Sequence, residues 1–213
     1  MANFGSEQTP TRRSVKALAI CVAAVALLAA MDLVSKSWAL DRLSLSRVGE
    51  APPLCDSSAG GYAPQRIRTA PIVLVDNYLE FRYAENCGAA FGLLRDAPKW
   101  ARQVVFASAA LLASVFLLGM YAQGRGSMLF LISVPMIIAG AVGNLWDRVR
   151  YGYVVDFIRF HWQERWEYPT FNIADIWITV GVVLLILDGL LEGRQLSRAK
   201  ANPAAAAAHG DEA

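Results

Sequence analysis

Two aspartates, Asp156 and Asp175, adjoin apolar segments in which a charged side chain is costly. Asp156 lies between Val155 and Phe157, and Asp175 precedes the last long apolar run. When two carboxylates share a small site, one keeps a proton, so the pair can act as acid and base. The ionised member would take a proton from a water that attacks an amide carbonyl. The protonated member would polarise that carbonyl and help the amine to leave. This chemistry needs neither a metal nor a cofactor.

Other polar residues fall at the same end of the predicted membrane spans, and this convergence is the main indication of a site. Asp32 and Lys36, at i and i+4, are typical of a structural ion pair. Asp147 and Arg148 are typical of an ion pair at a membrane boundary. The remaining members of the group are Asn86, Asn144 and Asn172, and Gly140 and Gly143 are typical of close helix packing.

The two aspartates also have structural interpretations, which the residues alone leave open. Asn172 could be the N-cap of the last span, with Asp175 at position N3, where a carboxylate favours the helix dipole and free N–H groups. Asp156 could form a salt bridge with Arg148 or Arg159.

Several other chemistries have little support in the sequence. The only histidines are His161 and His209, and no serine or cysteine has a plausible base. Zinc-type Cys/His spacing, a Walker loop and a GxGxxG motif after a strand are not found. The net charge is +2 without a basic run, so nucleic-acid binding is not expected.

Hydropathy predicts a membrane protein with an all-α core of four transmembrane helices. Of the 213 residues, 55% are hydrophobic and 18% are charged. Residues 103–124 and 126–146 contain no charged side chain, and each run can cross a bilayer core of about 30 Å. The uncharged runs 17–31 and 176–187 are shorter and need flanking charges at the interface. A cleaved signal peptide over 12–31 is disfavoured, because cleavage would discard the helix that supports Asp32 and Lys36.

Four spans place both termini on one side, and Arg12, Arg13 and Lys16 before the first span suggest that this side is cytoplasmic. The Ala-rich end with Pro203 is predicted to be disordered. The predicted organisation is a cytoplasmic tail over 1–14, one domain over 15–192 with outer segments at about 37–100 and 147–174, and a disordered cytoplasmic tail over 193–213.

The outer segments have the patterns of β-structure. Two β-rich runs, 72–75 and 78–83, flank Asp76-Asn77 and predict a hairpin, and 153–158 predicts a further strand. The aromatic side chains that follow are typical of the membrane–water boundary; they are Trp162, Trp166, Tyr168 and Phe171. Of three cysteines, Cys21 is expected to pack as an apolar residue. Cys55 and Cys87 lie on one side, but spacing alone cannot show whether they pair.

The motifs that surround the aspartates resemble the signature of one family. They are residues 143–148 (GNLWDR), 152–157 (GYVVDF), 171–175 (FNIAD) and 86–92 (NCGAAFG), together with Asp32 and Lys36. In this order and spacing, over about residues 15–190, the chain resembles lipoprotein signal peptidase, also called signal peptidase II.

The resemblance implies an enzyme that removes the signal peptide from diacylglyceryl-modified bacterial prolipoproteins, just before the lipidated cysteine. It implies four transmembrane helices with a small periplasmic β-cradle and a short periplasmic helix in the inner membrane. The active site would lie near the periplasmic face, the protein would be a monomer in contact with membrane lipid, and globomycin would inhibit it. The implied roles are a catalytic dyad, Asp156 and Asp175; residues that line or support the site, Asn86, Gly140, Asn144, Arg148, Asn172 and Ala174; and the pair Asp32 and Lys36, which holds the outer structure.

The chain departs from that pattern at about residues 47–70, where the outer segment is longer and contains Cys55. Two other function classes make different predictions. A proton-coupled transporter would need charges nearer mid-membrane, against which the uncharged runs 103–124 and 126–146 argue. A non-catalytic scaffold would tolerate Asp156→Asn and Asp175→Asn.

Overall fold

Four long helices form the core of the computed structural model, which describes residues 13–52, 55, 64–88, 97–124, 127–163 and 165–201. The helices are α1 Val15–Leu43, α2 Lys99–Ala122, α3 Met128–Arg150 and α4 Ile173–Ala201. Each contains a stretch that is long and apolar enough to cross a membrane. This confirms the prediction of four spans.

Two helices extend beyond the predicted spans. α1 continues past Lys36 to Leu43, so the first part of the predicted outer segment is helical. α4 continues past Gly193 to Ala201, which corrects the prediction of disorder for residues 193–201. Both extensions lack proline and contain Leu, Ala, Arg or Lys, which favour helix. Residues 1–12 and 202–213 of the predicted tails lie outside the described residues.

α3 is the central helix, and it packs against each of the other three. An apolar cluster closes the end of the bundle remote from the sheets; it consists of Cys21, Leu117, Tyr121, Phe130, Val134 and Ile138. Cys21 is buried there, as predicted for a cysteine that packs as an apolar residue.

Small antiparallel sheets follow α1 and α3. β1 (Ser44–Ser46) pairs with β2 (Arg66–Arg68). A second sheet has the order β3-β4-β5-β6, with β3 Ile72–Val75, β4 Leu79–Asn86, β5 Val154–Trp162 and β6 Trp166–Glu167. The predicted hairpin is β3–β4, and Asn77 takes a φ of 66° in its turn, a conformation that asparagine tolerates. The predicted strand at 153–158 belongs to β5, which pairs with β4.

A second apolar cluster lies between the end of α1 and the four-stranded sheet. Its buried members include Ala39, Leu43, Tyr83, Val155 and Phe157. The cluster also contains Cys55 and Cys87, which form a disulfide. The sheet is therefore packed on α1, and the question of whether these cysteines pair is answered.

The short periplasmic helix that the resemblance implies is not among the elements of the described residues. Residues 53–54, 56–63 and 89–96 of the outer segment lie outside that description, and so does the end of the 86–92 motif.

Candidate active site

Asp156 is a buried carboxylate on β5, 2% exposed to solvent. The β4–β5 register places the small Ala84 opposite it, which leaves room for a neighbouring side chain. Asp156 Oδ1 accepts a hydrogen bond from Asn172 Nδ2 at 2.6 Å, and the Asn86 side chain also hydrogen-bonds this carboxylate. Burial raises the pKa of Asp156 well above its usual value, and the nearby charge of Asp175 acts in the same direction.

Asp175 lies in the first turn of α4, three residues after the N-cap Asn172. The Asp175 N–H donates to Asn172 Oδ1 at 3.0 Å, and the Asn172 N–H donates to Asp175 Oδ2 at 3.2 Å. This reciprocal pair is a capping box, so the predicted cap is confirmed. The other carboxylate oxygen, Oδ1, accepts from Asn144 Nδ2 at 2.8 Å. The cap therefore occupies one face of the carboxylate and leaves Asp175 beside Asn144.

Two asparagines connect the carboxylates. Asn172 Nδ2, which donates to Asp156, also lies 3.1 Å from Asn144 Oδ1 and 3.3 Å from the Val155 carbonyl oxygen. Asn144 in turn donates to Asp175. The side chains of Asp156, Asn172, Asn144 and Asp175 thus form one continuous hydrogen-bonded network.

Lys36 is a buried cation at the centre of a charged cluster behind this network. Its Nζ lies 2.9 Å from Asp32 Oδ2, in the predicted i, i+4 pair, and 3.1 Å from Asp147 Oδ2. It also donates to Asn144 Oδ1 at 2.9 Å. Asp147 was expected to pair with its neighbour Arg148, but its ion pair is formed with Lys36 on α1. Lys36 thereby joins α1 to the Asn144 of the site.

Asp32 and Asp147, the two partners of Lys36, also hold the backbone on which the site is built. Asp32 Oδ1 accepts from the Ala174 N–H at 2.8 Å, at the start of α4. Asp147 Oδ2 accepts from the Val155 N–H at 3.0 Å, next to Asp156. Ala174 is completely buried. The charged cluster therefore positions both chain segments that carry the candidate carboxylates.

Close helix contact explains the two glycines of α3. A Cβ at Gly140 would collide with the Ala174 carbonyl oxygen and lie 2.7 Å from Ile178 Cγ1. A Cβ at Gly143 would collide with the Asp32 carboxylate. Both positions hold α3 close to the elements that carry the polar cluster.

Arg148 and Arg159, the two arginines considered as partners of Asp156, lie in different surroundings. Arg148 Nη1 donates to the Asn144 carbonyl at 3.2 Å, and Nη2 donates to the Gly88 carbonyl at 3.0 Å. Its guanidinium carbon lies 4.1 Å from the Phe106 ring centroid. Arg159 forms ion pairs with glutamates on β4 and β6, Glu80 and Glu167.

A cavity of about 790 Å³ opens beside both carboxylates. Its polar end contains Asn86, Asn144, Arg148, Asp156 and Asp175. Its apolar walls come from α2, α3 and α4; they include Phe106, Ala109, Ala113, Ile137 and Ile178. Over the described part of the chain, there is no cluster of three or more His, Cys, Asp or Glu side chains arranged to hold a metal ion.

Comparison with known proteins shows the family of this chain. The family model described as signal peptidase (SPase) II matches residues 24–191. The chain belongs to the signal peptidase II family. This family consists of membrane aspartic peptidases that cleave the signal peptides of prolipoproteins.

Individual relatives agree with the signal peptidase II family model. A lipoprotein signal peptidase of Ectopseudomonas mendocina is 43% identical over 117 residues, which are 55% of this chain and 69% of that protein. One from Clostridium tetani is 35% identical over 158 residues, which are 74% of this chain and 83% of that protein. A solved bacterial membrane enzyme, determined at 2.3 Å by the in meso method, superposes with a TM-score of 0.60 at 22% identity. The superposed region covers 87% of this chain and 93% of the chain of that enzyme, and the similarity supports the fold.

The charged cluster around Lys36 was not predicted from the sequence of this signal peptidase II family member. Only the pair with Asp32 was expected, because it is local. The sequence did offer one signal: Asp32 and Asp147 are carboxylates at the outer ends of the first and third spans, and Lys36 is a cation at the same boundary. For the Cys55–Cys87 disulfide the sequence offered only a shared side of the membrane, which left the pairing open.

Proposed function

We propose that this chain removes the signal peptide from diacylglyceryl-modified prolipoproteins, cutting just before the lipidated cysteine, and that Asp156 and Asp175 are its acid–base pair. The observation that carries the proposal is the joint position of the two carboxylates. They line one cavity and are linked through Asn172 and Asn144. A non-catalytic role would give no reason for two carboxylates to converge on an open cavity.

The surroundings of the two carboxylates suggest which of them holds the shared proton. Asp156 is the more buried, and burial penalises its charged form. Asp175 accepts from the Asn172 N–H at a helix N-terminus, which favours a negative charge. We therefore assign the shared proton of the free enzyme to Asp156 and the role of base to Asp175.

The reaction follows from this assignment. Asp175 takes a proton from water, and the water oxygen bonds to the carbonyl carbon of the scissile amide. Asp156 donates a hydrogen bond to the carbonyl oxygen as negative charge develops on it. The C–N bond then breaks, and a proton from the pair passes to the departing amine. Asn144 and Asn172 hold the two carboxylates in position throughout.

The cavity fits a lipidated peptide better than a free peptide. Its polar end can receive the scissile amide, and its walls along α2 and α4 can receive the acyl chains. Arg148 supports the polar end by holding the Gly88 carbonyl. We infer an inner-membrane monomer whose site faces the periplasm and whose termini are both cytoplasmic.

The deciding experiment measures processing of a lipidated prolipoprotein by the purified protein. Asp156→Asn and Asp175→Asn are each expected to lower kcat by about 100- to 10,000-fold, the usual contribution of general acid–base groups. Asp76→Asn makes the same chemical change in the exposed hairpin turn and should keep full activity. Size-exclusion and thermal-unfolding profiles establish that each variant is folded. Near-wild-type cleavage by a folded Asn variant at residue 156 or 175 would refute the assignment.

A further inference from the structure

The Cys55–Cys87 disulfide lies at the edge of the proposed site. Cys87 lines the cavity and follows directly after Asn86, the last residue of β4. Cys55 lies in the longer outer segment that distinguishes this chain. Both cysteines are 8% exposed and belong to the apolar cluster under the sheet.

The residues on both sides of Cys87 contact the site. The Asn86 side chain hydrogen-bonds the Asp156 carboxylate, and its Oδ1 accepts from the Gly88 N–H at 3.1 Å. The Gly88 carbonyl accepts from Arg148 Nη2 at 3.0 Å. Cys87 is thus the central residue of a turn, the Asn86–Gly88 turn, whose two ends reach the acid–base pair and Arg148.

The pairing of β4 with β5 ends at Asn86, opposite Val154, so the ladder does not extend into the Asn86–Gly88 turn. The disulfide joins the centre of the turn to Cys55. Cys55 Sγ itself lies 4.0 Å from the Gly152 carbonyl oxygen, just before β5 begins. The crosslink therefore spans from the turn to the start of the strand that carries Asp156.

The segment that contains Cys55 is itself anchored to the sheet. Glu85 Oε2 accepts from the Gln65 N–H at 2.8 Å, and Glu85 Oε1 accepts from the Arg66 N–H at 3.0 Å. The pairing of β1 with β2 closes the same segment onto the end of α1. The crosslink consequently ties the turn to an attached segment.

We propose that the Cys55–Cys87 disulfide positions the proposed active site by holding Asn86 against Asp156 and the Gly88 carbonyl against Arg148. The inference rests on the proposed function of the aspartate pair. Asn86 and Gly88 form the hydrogen bonds that connect the turn to the site, so the crosslink acts through these two residues. Loss of the disulfide should lower kcat more than it raises KM. The walls on α2 and α4 that would bind the acyl chains are not part of the turn, so substrate binding should change little.

The pH dependence gives a readout that a general loosening of the fold would not produce. The Asn86 hydrogen bond stabilises ionised Asp156, so its loss raises the pKa of Asp156 further. The limb of the kcat profile that reports Asp156 should therefore move to higher pH. Asp175 on α4 and Lys36 on α1 act on Asp156 through their charges, and neither belongs to the Asn86–Gly88 turn.

The test compares wild type, Cys55→Ser/Cys87→Ser and Cys21→Ser in cleavage of a lipidated prolipoprotein. The double variant should lose about tenfold in kcat. This is less than the roughly 100-fold that a misplacement of about 1 Å can cost, because the β4–β5 ladder still holds Asn86. Cys21→Ser alters the free buried cysteine at the opposite end of the bundle and should match wild type. In an Asn86→Ala background, removal of both cysteines should cost less than it does in wild type, because the Asn86–Asp156 hydrogen bond is already absent and only the Gly88–Arg148 contact remains to be lost.

Reduction of folded wild type by a phosphine provides an independent route if the double variant does not fold. Thiol alkylation measures the reduction, and thermal unfolding verifies the fold. Wild-type kcat and an unshifted pH profile without the crosslink would overturn the inference. So would additive losses with Asn86→Ala, or unfolding on reduction. Failure of the aspartate pair would appear separately, as cleavage by Asp156→Asn in protein whose disulfide is intact.

Discussion

At the scale of single residues, the Asn172 amide has more acceptors than hydrogens. Its Nδ2 carries two N–H bonds but lies near three oxygens, on Asp156 at 2.6 Å, Asn144 at 3.1 Å and Val155 at 3.3 Å. Ionised Asp156 attracts one of these hydrogens most strongly. When Asp156 gains a proton, that hydrogen becomes available to Asn144, which donates to Asp175. The protonation of one carboxylate is therefore transmitted to the hydrogen bonds of the other.

Asp156→Asn should stabilise the protein near neutral pH while it removes activity. Between the ordinary aspartate pKa of about 3.9 and the raised pKa of Asp156, unfolding releases a proton, so stability falls as pH rises. Asparagine does not ionise, still accepts from Asn172, and does not repel Asp175. We expect a higher Tm than wild type at pH 7, with the difference lost on acidification through the ordinary aspartate pKa.

Thermal unfolding in detergent between pH 4 and pH 8 measures this difference. Asp76→Asn is the matched control, because its side chain is exposed in the β3–β4 turn. Its Tm difference from wild type should be small across the range. A Tm of Asp156→Asn below wild type at pH 7 would contradict the account of the buried carboxylate.

At the scale of elements, Gly140 sets the distance between α3 and α4. A methyl group there collides with the Ala174 carbonyl and crowds Ile178. Gly140→Ala should cost about 1–3 kcal/mol in stability, as overpacking usually does, and should reduce cleavage. Gly189→Ala on α4 meets nothing within 4 Å and should be neutral or gain up to about 1 kcal/mol from helix propensity. Unfolding in detergent compares the pair, and equal stabilities would contradict the close contact.

Lys36 joins α1 to α3 through a buried charge cluster. Lys36→Met leaves the Asp32 and Asp147 carboxylates without their cation, and breaking such a cluster costs about 3–5 kcal/mol. We expect little folded protein in detergent. Asp32→Asn added to Lys36→Met removes one stranded charge and keeps the acceptor for the Ala174 N–H, so it should restore part of the folded yield. A single Lys36→Met variant as stable as wild type would show that the cluster does not hold the helices.

Local patterns predicted the elements better than the contacts between them. The β3–β4 hairpin follows from two β-rich runs around Asp76-Asn77, and the α4 cap follows from the spacing of Asn172 and Asp175. The β4–β5 pairing could not be predicted, because no turn connects the strands and α2 and α3 lie between them. The partner of Asp147 was missed for the same reason, since Lys36 lies on a distant helix. Family resemblance, rather than periodicity, indicated that Asp156 and Asp175 share one site.

At the scale of the whole molecule, four spans could be predicted because a bilayer leaves the backbone few alternatives to helix. Their ends could not be, because a charge was taken to end a span. Asp32 and Lys36 form an ion pair inside α1, and the helix continues beyond them to Leu43. The attachment of the segment that contains Cys55 also depends on tertiary contacts, with Glu85 and with Cys87, which no local pattern contains.

Three spans, α2, α3 and α4, separate the hairpin turn from the end of α4, which predicts that these two positions lie on opposite sides of the membrane. Asp76→Cys and Ser197→Cys place a thiol at each position, and both native side chains are exposed. The native cysteines do not compete, since two are bonded and Cys21 is buried. A membrane-impermeant maleimide should label Asp76→Cys in spheroplasts and Ser197→Cys only after lysis. The reverse pattern, or labelling of both in spheroplasts, would contradict the proposed orientation.

The cavity walls on α2, α3 and α4 have a consequence for how the enzyme meets its substrate. A diacyl chain stays in the bilayer because each buried methylene contributes about 0.8 kcal/mol. Enzyme and substrate therefore search for each other in two dimensions. The concentration that sets the rate is the mole fraction of prolipoprotein among lipids, so inert lipid dilutes the substrate while added water does not.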